Sequence, residues 1–351
     1  MRKWVVCTIV CTAVLAGCGI GGSKTSTEQI DPPKEVTYKD QEGASTKTEP
    51  TAKQGEKNQA VNRELYLVDK NGYVVPQTLA IPTPQDNAVI KQALQYLVKE
   101  GPVTGMLPNG FKAVLPADTE INGVDVKDGV AIADFSEEFK NYKKDEERRI
   151  VEAVTWTLTQ FKEVKQVKFR MNGKDLTAMP VNKTPIGNGV SREDGINFDD
   201  EQVADVTNTK PVTLYFLAQT NKQTSYYVPV TRRIANSEKD ELTAVVRELV
   251  KGPSPKSMLS SDLNHDVKLL GEPKYESGKV TLNFNENIYG SPDKNIISTY
   301  VLNSLVLSLT EQKGIDSVSI EVNGKPDIVN EQGQKLTKPV TRPQNVNTGS
   351  F

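Results

Sequence analysis

The residues whose types and spacing could do chemistry are few. Glu137 and Glu286 end matched segments, Asp134-Phe135-Ser136-Glu137 and Asn283-Phe284-Asn285-Glu286. Paired carboxylates can hydrolyse a glycoside, but only when they stand roughly 5–10 Å apart across one cleft. Equivalent positions in sequential repeats lie a repeat length apart. The favoured role is therefore local, with Ser136 or Asn285 capping a turn and the Glu accepting backbone N–H groups. His265, in Asn264-His265-Asp266, is the single histidine, which excludes a His-clustered metal site. A Ser-His-Asp triad would rest on it alone, and it reads as a surface-loop residue rather than a general base. Glu193, Asp194, Asp199, Asp200, Glu201 and Asp205 lack the ligand alternation around a turn glycine that a calcium loop needs. Gly187-Asn188-Gly189 has no strand–helix context for holding phosphate. Lys143, Lys144, Arg148 and Arg149 interleave with Asp145, Glu146 and Glu147 as in a solvated helix start. No catalytic, cofactor or metal residue set is expected.

The 351 residues are 36% hydrophobic and 25% charged, an ordinary soluble composition long enough for two domains with separate cores. Lys plus Arg (43) nearly balances Asp plus Glu (45), so nucleic acid is not an expected partner. The start is different in kind. Arg2 and Lys3 precede an apolar run, Trp4 to Leu15, too short to remain as a membrane span. It ends in Leu15-Ala16-Gly17-Cys18, which resembles a bacterial lipobox. That resemblance implies that residues 1–17 are a lipoprotein signal peptide and that Cys18 receives diacylglycerol and becomes the first mature residue. Cys7 and Cys11 leave with the signal, so the mature chain has no disulfide. The mildly acidic body has no electrostatic hold on anionic lipid. Attachment to the outer face of the cell membrane must come from the acyl chains, at about 0.8 kcal/mol per buried methylene. Residues 18–62 are too polar to offset their ordering entropy and are expected to form a disordered tether.

The elements that would position any site come in two copies. Leu65-Tyr66-Leu67 recurs as Leu214-Tyr215-Phe216, and Val75-Pro76 as Val228-Pro229. Leu97 to Pro102 recurs one residue shorter as Leu249 to Pro253. Leu158-Thr159 matches Leu309-Thr310, and Val167 to Lys174 matches Val318 to Lys325. This order indicates a tandem duplication, with a first unit at 63–180 and a second at 211–326. Residues 181–210 are expected to be a solvated linker and 327–351 a flexible tail.

Each unit predicts one series of elements. A hairpin turns at Asn71-Gly72. A helix follows, with apolar pairs Val89/Ile90, Ala93/Leu94 and Leu97/Val98; its partner has Leu242, Val245/Val246 and Leu249/Val250, with Ser237 and Asp240 placed as a capping box. Gly-Pro stops both helices. A second hairpin turns at Asp128-Gly129. A second helix buries Ile150, Val154, Leu158 and Phe161, matched by Val301, Leu305 and Leu309, and leaves Glu152 and Asn303 exposed. Trp156 lies off that line, at a domain contact or shielding a core edge. A strand to Met171 closes the unit. The fold class is α+β, two helices on one face of a small, mostly antiparallel sheet.

The ordered pair of units, the Leu-Tyr-Phe opening, the Gly-Pro after a helix and the terminal Val-Asn-Gly resemble the GerMN domain, found in sporulation and germination lipoproteins of Bacillaceae. The resemblance covers about two-thirds of the chain. It implies a ring-building-motif fold and a place between mother cell and forespore, in the stage III A–Q channel. It also implies self-association and channel-protein partners. Peptidoglycan is the alternative partner, for a cell-wall-binding or regulatory lipoprotein. The family brings no catalytic residues, and a non-enzymatic role is expected.

Overall fold

A computed structural model describes residues 60–84, 88–199, 207–221, 223–290 and 295–348. The expected signal peptide, Cys18 and nearly all of the expected tether lie outside the described residues. The first repeat opens with β1 (Ala60–Val68) paired antiparallel with β2 (Val74–Pro82), so the strand takes in the last three residues of the expected tether. Asp69 makes the turn. Its Oδ1 accepts from Asn71 N at 2.8 Å and Tyr73 N at 2.9 Å, while Gly72 takes φ +88°, a conformation that side chains disfavour. Then come α1 (Val89–Gln95), β3 (Ile121–Lys127), β4 (Val130–Phe135), α2 (Glu147–Leu158), β5 (Gln166–Met171) and β6 (Lys174–Asp175).

The second repeat runs β7 (Thr209–Gln219), β8 (Ser225–Ala235), α3 (Glu241–Lys251), β9 (Lys274–Glu276) and β10 (Lys279–Phe284). It continues with β11 (Ile296–Ile297), α4 (Thr299–Thr310), β12 (Ser317–Val322), β13 (Val329–Asn330) and β14 (Val340–Thr341). The main sheets are ordered β3-β4-β5-β6 and β14-β12-β10-β9. Their central pairs, β4–β5 and β10–β12, are parallel because a helix crosses between them, and the flanking pairs are antiparallel. The opening hairpins stay outside these sheets as separate two-stranded ribbons. Helices α2 and α4 thus lie between a ribbon and a sheet, and Leu158 and Leu309 are each 0% exposed there. Each repeat is the expected α+β unit, with one sheet face covered by helix and the other open.

Local chemistry departs from expectation at two helix ends. In the first repeat α1 stops at Gln95, and Leu97 and Val98 leave the helix. Leu97 O accepts from Val114 N and Leu115 N, so this segment pairs with extended chain before Gly101-Pro102 is reached. In the second repeat Asp240, not Ser237, is the N-cap, accepting from Leu242 N and Thr243 N.

Two larger corrections concern the expected linker and tail. Residues 181–199 do not form a solvated linker: Ile186, Val190 and Ile196 are buried, and Val190 pairs with Val167 beside β5. Nor is 327–348 a loose tail: Ile328 and Val346 are buried and β14 pairs with β12. Val190 and Val340 do the same job, because these stretches are the closing segments of the two repeats. Buried residues of both repeats form one continuous core, and the described residues form one compact unit in place of two separate cores. Among the described residues no helix is long and apolar enough to cross a membrane.

Candidate functional site at the junction of the repeats

The two repeats meet through their opening ribbons, with β2 against β8. Tyr66 and Tyr215, at the centres of β1 and β7, are both fully buried. Tyr66 N donates to Thr157 Oγ1 at 3.0 Å and Tyr215 N to Ser308 Oγ at 2.8 Å, the same bond made twice. The closing segments then cross over. Ile196 and Asp199 of the first repeat bond Thr231 of β8, and Val346 and Asn347 of the second bond Thr78 of β2. Each repeat therefore finishes the ribbon of the other.

Two asparagines clasp the ribbons together. Asn197 Nδ2 donates to Val74 O at 2.7 Å and Pro229 O at 2.8 Å, and its Oδ1 accepts from Val74 N. Asn347 Nδ2 donates to Tyr227 O and Pro76 O, both at 2.8 Å, and its Oδ1 accepts from Tyr227 N. Val74 corresponds to Tyr227 and Pro76 to Pro229, so the contacts obey a two-fold rule. Both asparagines take positive φ, 46° and 53°, which this residue type tolerates best after glycine.

Beside the clasp sits a charge cluster. Arg192 Nη1 bonds both carboxylate oxygens of Glu311, at 2.9 and 3.0 Å, and Arg342 Nη1 reaches Oε1 at 2.8 Å. The Tyr215 hydroxyl donates to Glu311 at 2.9 Å. Arg192 stacks on Trp156 at 4.3 Å, and Arg342 on Tyr215 at 5.4 Å. Burial would raise the Glu311 carboxyl, but the two guanidiniums outweigh it and hold it at about 2. A carboxylate so firmly ionised is not available as a proton donor or acceptor near neutral pH. Trp156 is buried, donates Nε1–H to Gly195 O and tilts on Tyr66 at 5.6 Å, all within its own repeat, and Arg192 stacked on it links it to Glu311 of the second repeat. A groove of about 960 Å³ runs alongside, lined by Trp156, Arg192, Arg233, Glu241 and Glu311.

The side chains singled out in the sequence do not gather here. Glu137 accepts from Asn172 Nδ2 and Glu286 from Asn323 Nδ2, each bracing the Asn-Gly turn of its own repeat, and Glu286 also accepts its own backbone N–H. Ser136 Oγ accepts from Glu120 N and Asn285 Oδ1 from Lys268 N, so neither caps the turn after it. His265 is exposed, and its Nδ1–H donates to Val250 O at 2.9 Å in the last turn of α3. Asp194 accepts from Ser191 N, and Asp199 pairs with Arg232. Asp200, Glu201 and Asp205 lie outside the described residues. Gly187-Asn188-Gly189 is a turn closed by Gly189 N to Ile186 O.

Three expectations of exposure fail. Glu152 is buried, its carboxylate accepting from Arg148 Nε and Asn197 N, and Asn303 is half-buried against Tyr227. Glu147, expected in a solvated helix start, is fully buried. It accepts from the Tyr142 hydroxyl and from the N–H groups of Val181, Asn182 and Thr184, at 2.7–3.0 Å. Burial would raise its carboxyl, but these bonds, Thr184 and Asn182 foremost, hold it at about 2. Its stabilisation is complete above the ordinary value of 4.5 and is lost as pH falls through 2. Glu147→Gln should cost on the order of 2–3 kcal/mol at pH 7 and flatten the acid limb of a urea-midpoint profile between pH 4.5 and 2. An unchanged profile would show that the clamp on residues 181–184 contributes nothing.

A duplicated α+β module, locked by exchanged closing segments, defines the class of protein. The chain belongs to the Germane family of sporulation and spore germination proteins, whose model matches residues 64–177 and 213–328. It is 55% identical over 352 residues to the spore germination protein GerM of Bacillus subtilis (strain 168), covering 96% of this chain and 95% of that one. It is also similar to the solved tandem GerMN domains of the sporulation protein GerM from Bacillus subtilis. That likeness has 56% identity and a TM-score of 0.78, over 83% of this chain and all of the other.

Proposed function

We propose that this member of the family is a membrane-anchored, non-enzymatic assembly lipoprotein of endospore formation and germination. In this reading it is a ring component or scaffold of the mother cell–forespore channel, held on the extracytoplasmic face by lipid on Cys18. One observation carries the reading: the locked pair of repeats leaves both main sheets with a helix-free face. The register puts Ile132, Asp134, Lys168 and Arg170 on one such face and Thr281, Asn283, Ser319 and Glu321 on the other. These are polar surfaces of the kind that meet other proteins. The chemistry-bearing side chains, by contrast, are committed to turns, caps and the junction. Many copies held on one membrane by long tethers reach a high effective concentration, so individually weak contacts suffice for assembly.

Photoreactive residues at Lys168 and Ser319 should crosslink in sporulating cells to other copies or to channel proteins. The adducts should fade when Cys18→Ala releases the protein from the membrane. Monomer at both faces, together with retention on purified sacculi, would overturn the scaffold reading in favour of cell-wall binding.

A further inference from the structure

The two-fold rule provides a comparison inside one molecule, and one of its breaks leaves a gap. After each first helix, a loop returns to pair with the opening ribbon. Lys112 exchanges two backbone hydrogen bonds with Val68, and Ser260 does the same with Leu217. Phe111 therefore corresponds to Leu259, and Gly110 to Met258. Phe111 crosses the junction and meets the ring of Tyr226 edge-on at 5.2 Å; both are buried, at 6% and 1% exposure. On the other side the ring to be covered is Tyr73, the counterpart of Tyr226, and the side chain available is Leu259. Leucine is too short to replace the benzyl group. A pocket of about 200 Å³ remains, with Tyr73, Phe198, Phe216, Val230, Pro253 and Leu259 as its apolar lining beside polar residues that include Asp199 and Lys256. Next to it Met258 is 70% exposed, the most exposed large apolar side chain among the described residues.

We propose that this pocket receives an aromatic side chain from a partner protein, carried on an extended segment whose next residue is aliphatic and lies on Met258. The twin site shows the fit, since the same pair of ribbons seats a phenylalanine ring there against the equivalent tyrosine. The pocket is also continuous with the junction of the repeats. Its walls come from the first ribbon (Tyr73), the crossed-over segment (Phe198) and the second ribbon (Phe216, Val230), all held by the Asn197 clasp. A preformed aromatic wall lowers the ordering cost of binding, and rings gain from edge-on or offset contact. The proposal does not depend on the scaffold reading, because it concerns a different surface from the open sheet faces.

The test uses the full chain in detergent micelles with ¹³C-methyl methionine, which gives only a few well-separated probes. Titration with acetyl-Phe-Leu-amide should shift the Met258 methyl signal saturably, with a Kd of about 1–10 mM for so small a ligand. Met171 and Met179 should stay still, and acetyl-Ala-Leu-amide should bind at least tenfold more weakly. Leu259→Phe, which copies the twin site, should abolish the shift. Leu259→Ala should enlarge the pocket and move preference toward acetyl-Trp-Leu-amide. No shift at ~20 mM ligand, a shift that survives Leu259→Phe, or an unchanged ring preference in Leu259→Ala would each overturn the proposal. A Met258 signal that follows protein concentration and ignores the dipeptides would assign the pocket to a second copy, and the proposal would fall.

Discussion

Truncation after Thr341 is expected to unfold both repeats, though it removes residues only from the second. The cut deletes Arg342, Val346, Asn347 and Thr348. Asn347 makes three hydrogen bonds to buried backbone of the two ribbons, and Thr78 makes two more to Val346 and Asn347. Each contributes about 1 kcal/mol net when made, but 1–3 when its partner is left buried and unsatisfied. Val346, 2% exposed, adds about 1.5–3 kcal/mol of lost burial. The total approaches the 5–15 kcal/mol that holds a typical domain together. Far-UV circular dichroism should show a largely unfolded chain at 37 °C, and Asn347→Ala alone should cost about 2–4 kcal/mol in urea. A truncated protein that melts like the full chain would mean that the closing segments decorate the fold without completing it.

Glu311→Gln should be the most damaging single substitution of a charged residue, at about 3–5 kcal/mol. The change keeps shape but strands two guanidiniums, those of Arg192 and Arg342, against Trp156 and Tyr215. Removing one member of a buried set leaves an uncompensated charge, whereas removing the whole set does not. The triple variant Glu311→Met, Arg192→Met, Arg342→Met should therefore recover most of the loss. Urea denaturation of the unaltered protein and both variants gives the answer directly. A triple variant no better than Glu311→Gln would mean that the arginines stabilise by stacking on the rings and that their charge is incidental.

Much of this was legible in the residues. The duplication, the ribbons, both helices of each repeat and the α+β class follow from apolar spacing and Asn-Gly or Asp-Gly turns, because those signals are local. The closing segments are less obvious. Val190-Ser191-Arg192 recurs as Val340-Thr341-Arg342, and Ile196-Asn197 as Val346-Asn347, but polar residues and turns surround both copies. Such composition reads as linker unless the match is noticed. The partners of Asn197 and Asn347 lie far off along the chain, 123 and 271 residues away for Val74 and Pro76, and no periodicity carries that information. Glu147 is hidden for another reason. A glutamate in a run of alternating charges looks solvated, and only the return of residues 181–184 turns it into an anion held by three N–H groups and a phenol.

The place of Asn347 in the chain also sets when the protein can finish folding. A ribosome delivers residues in order, at about 5–20 per second. The first ribbon emerges early and waits for a side chain 271 residues further along the chain. Until then Val74 and Pro76 are held from one side only, by Asn197 or by nothing. Contacts of such long sequence separation close late, after shorter loops have formed. Nascent chains arrested before Asn347 would hold every described helix and still be open to proteases along β2. Quality control acting on that state would remove interrupted chains before they compete with whole ones.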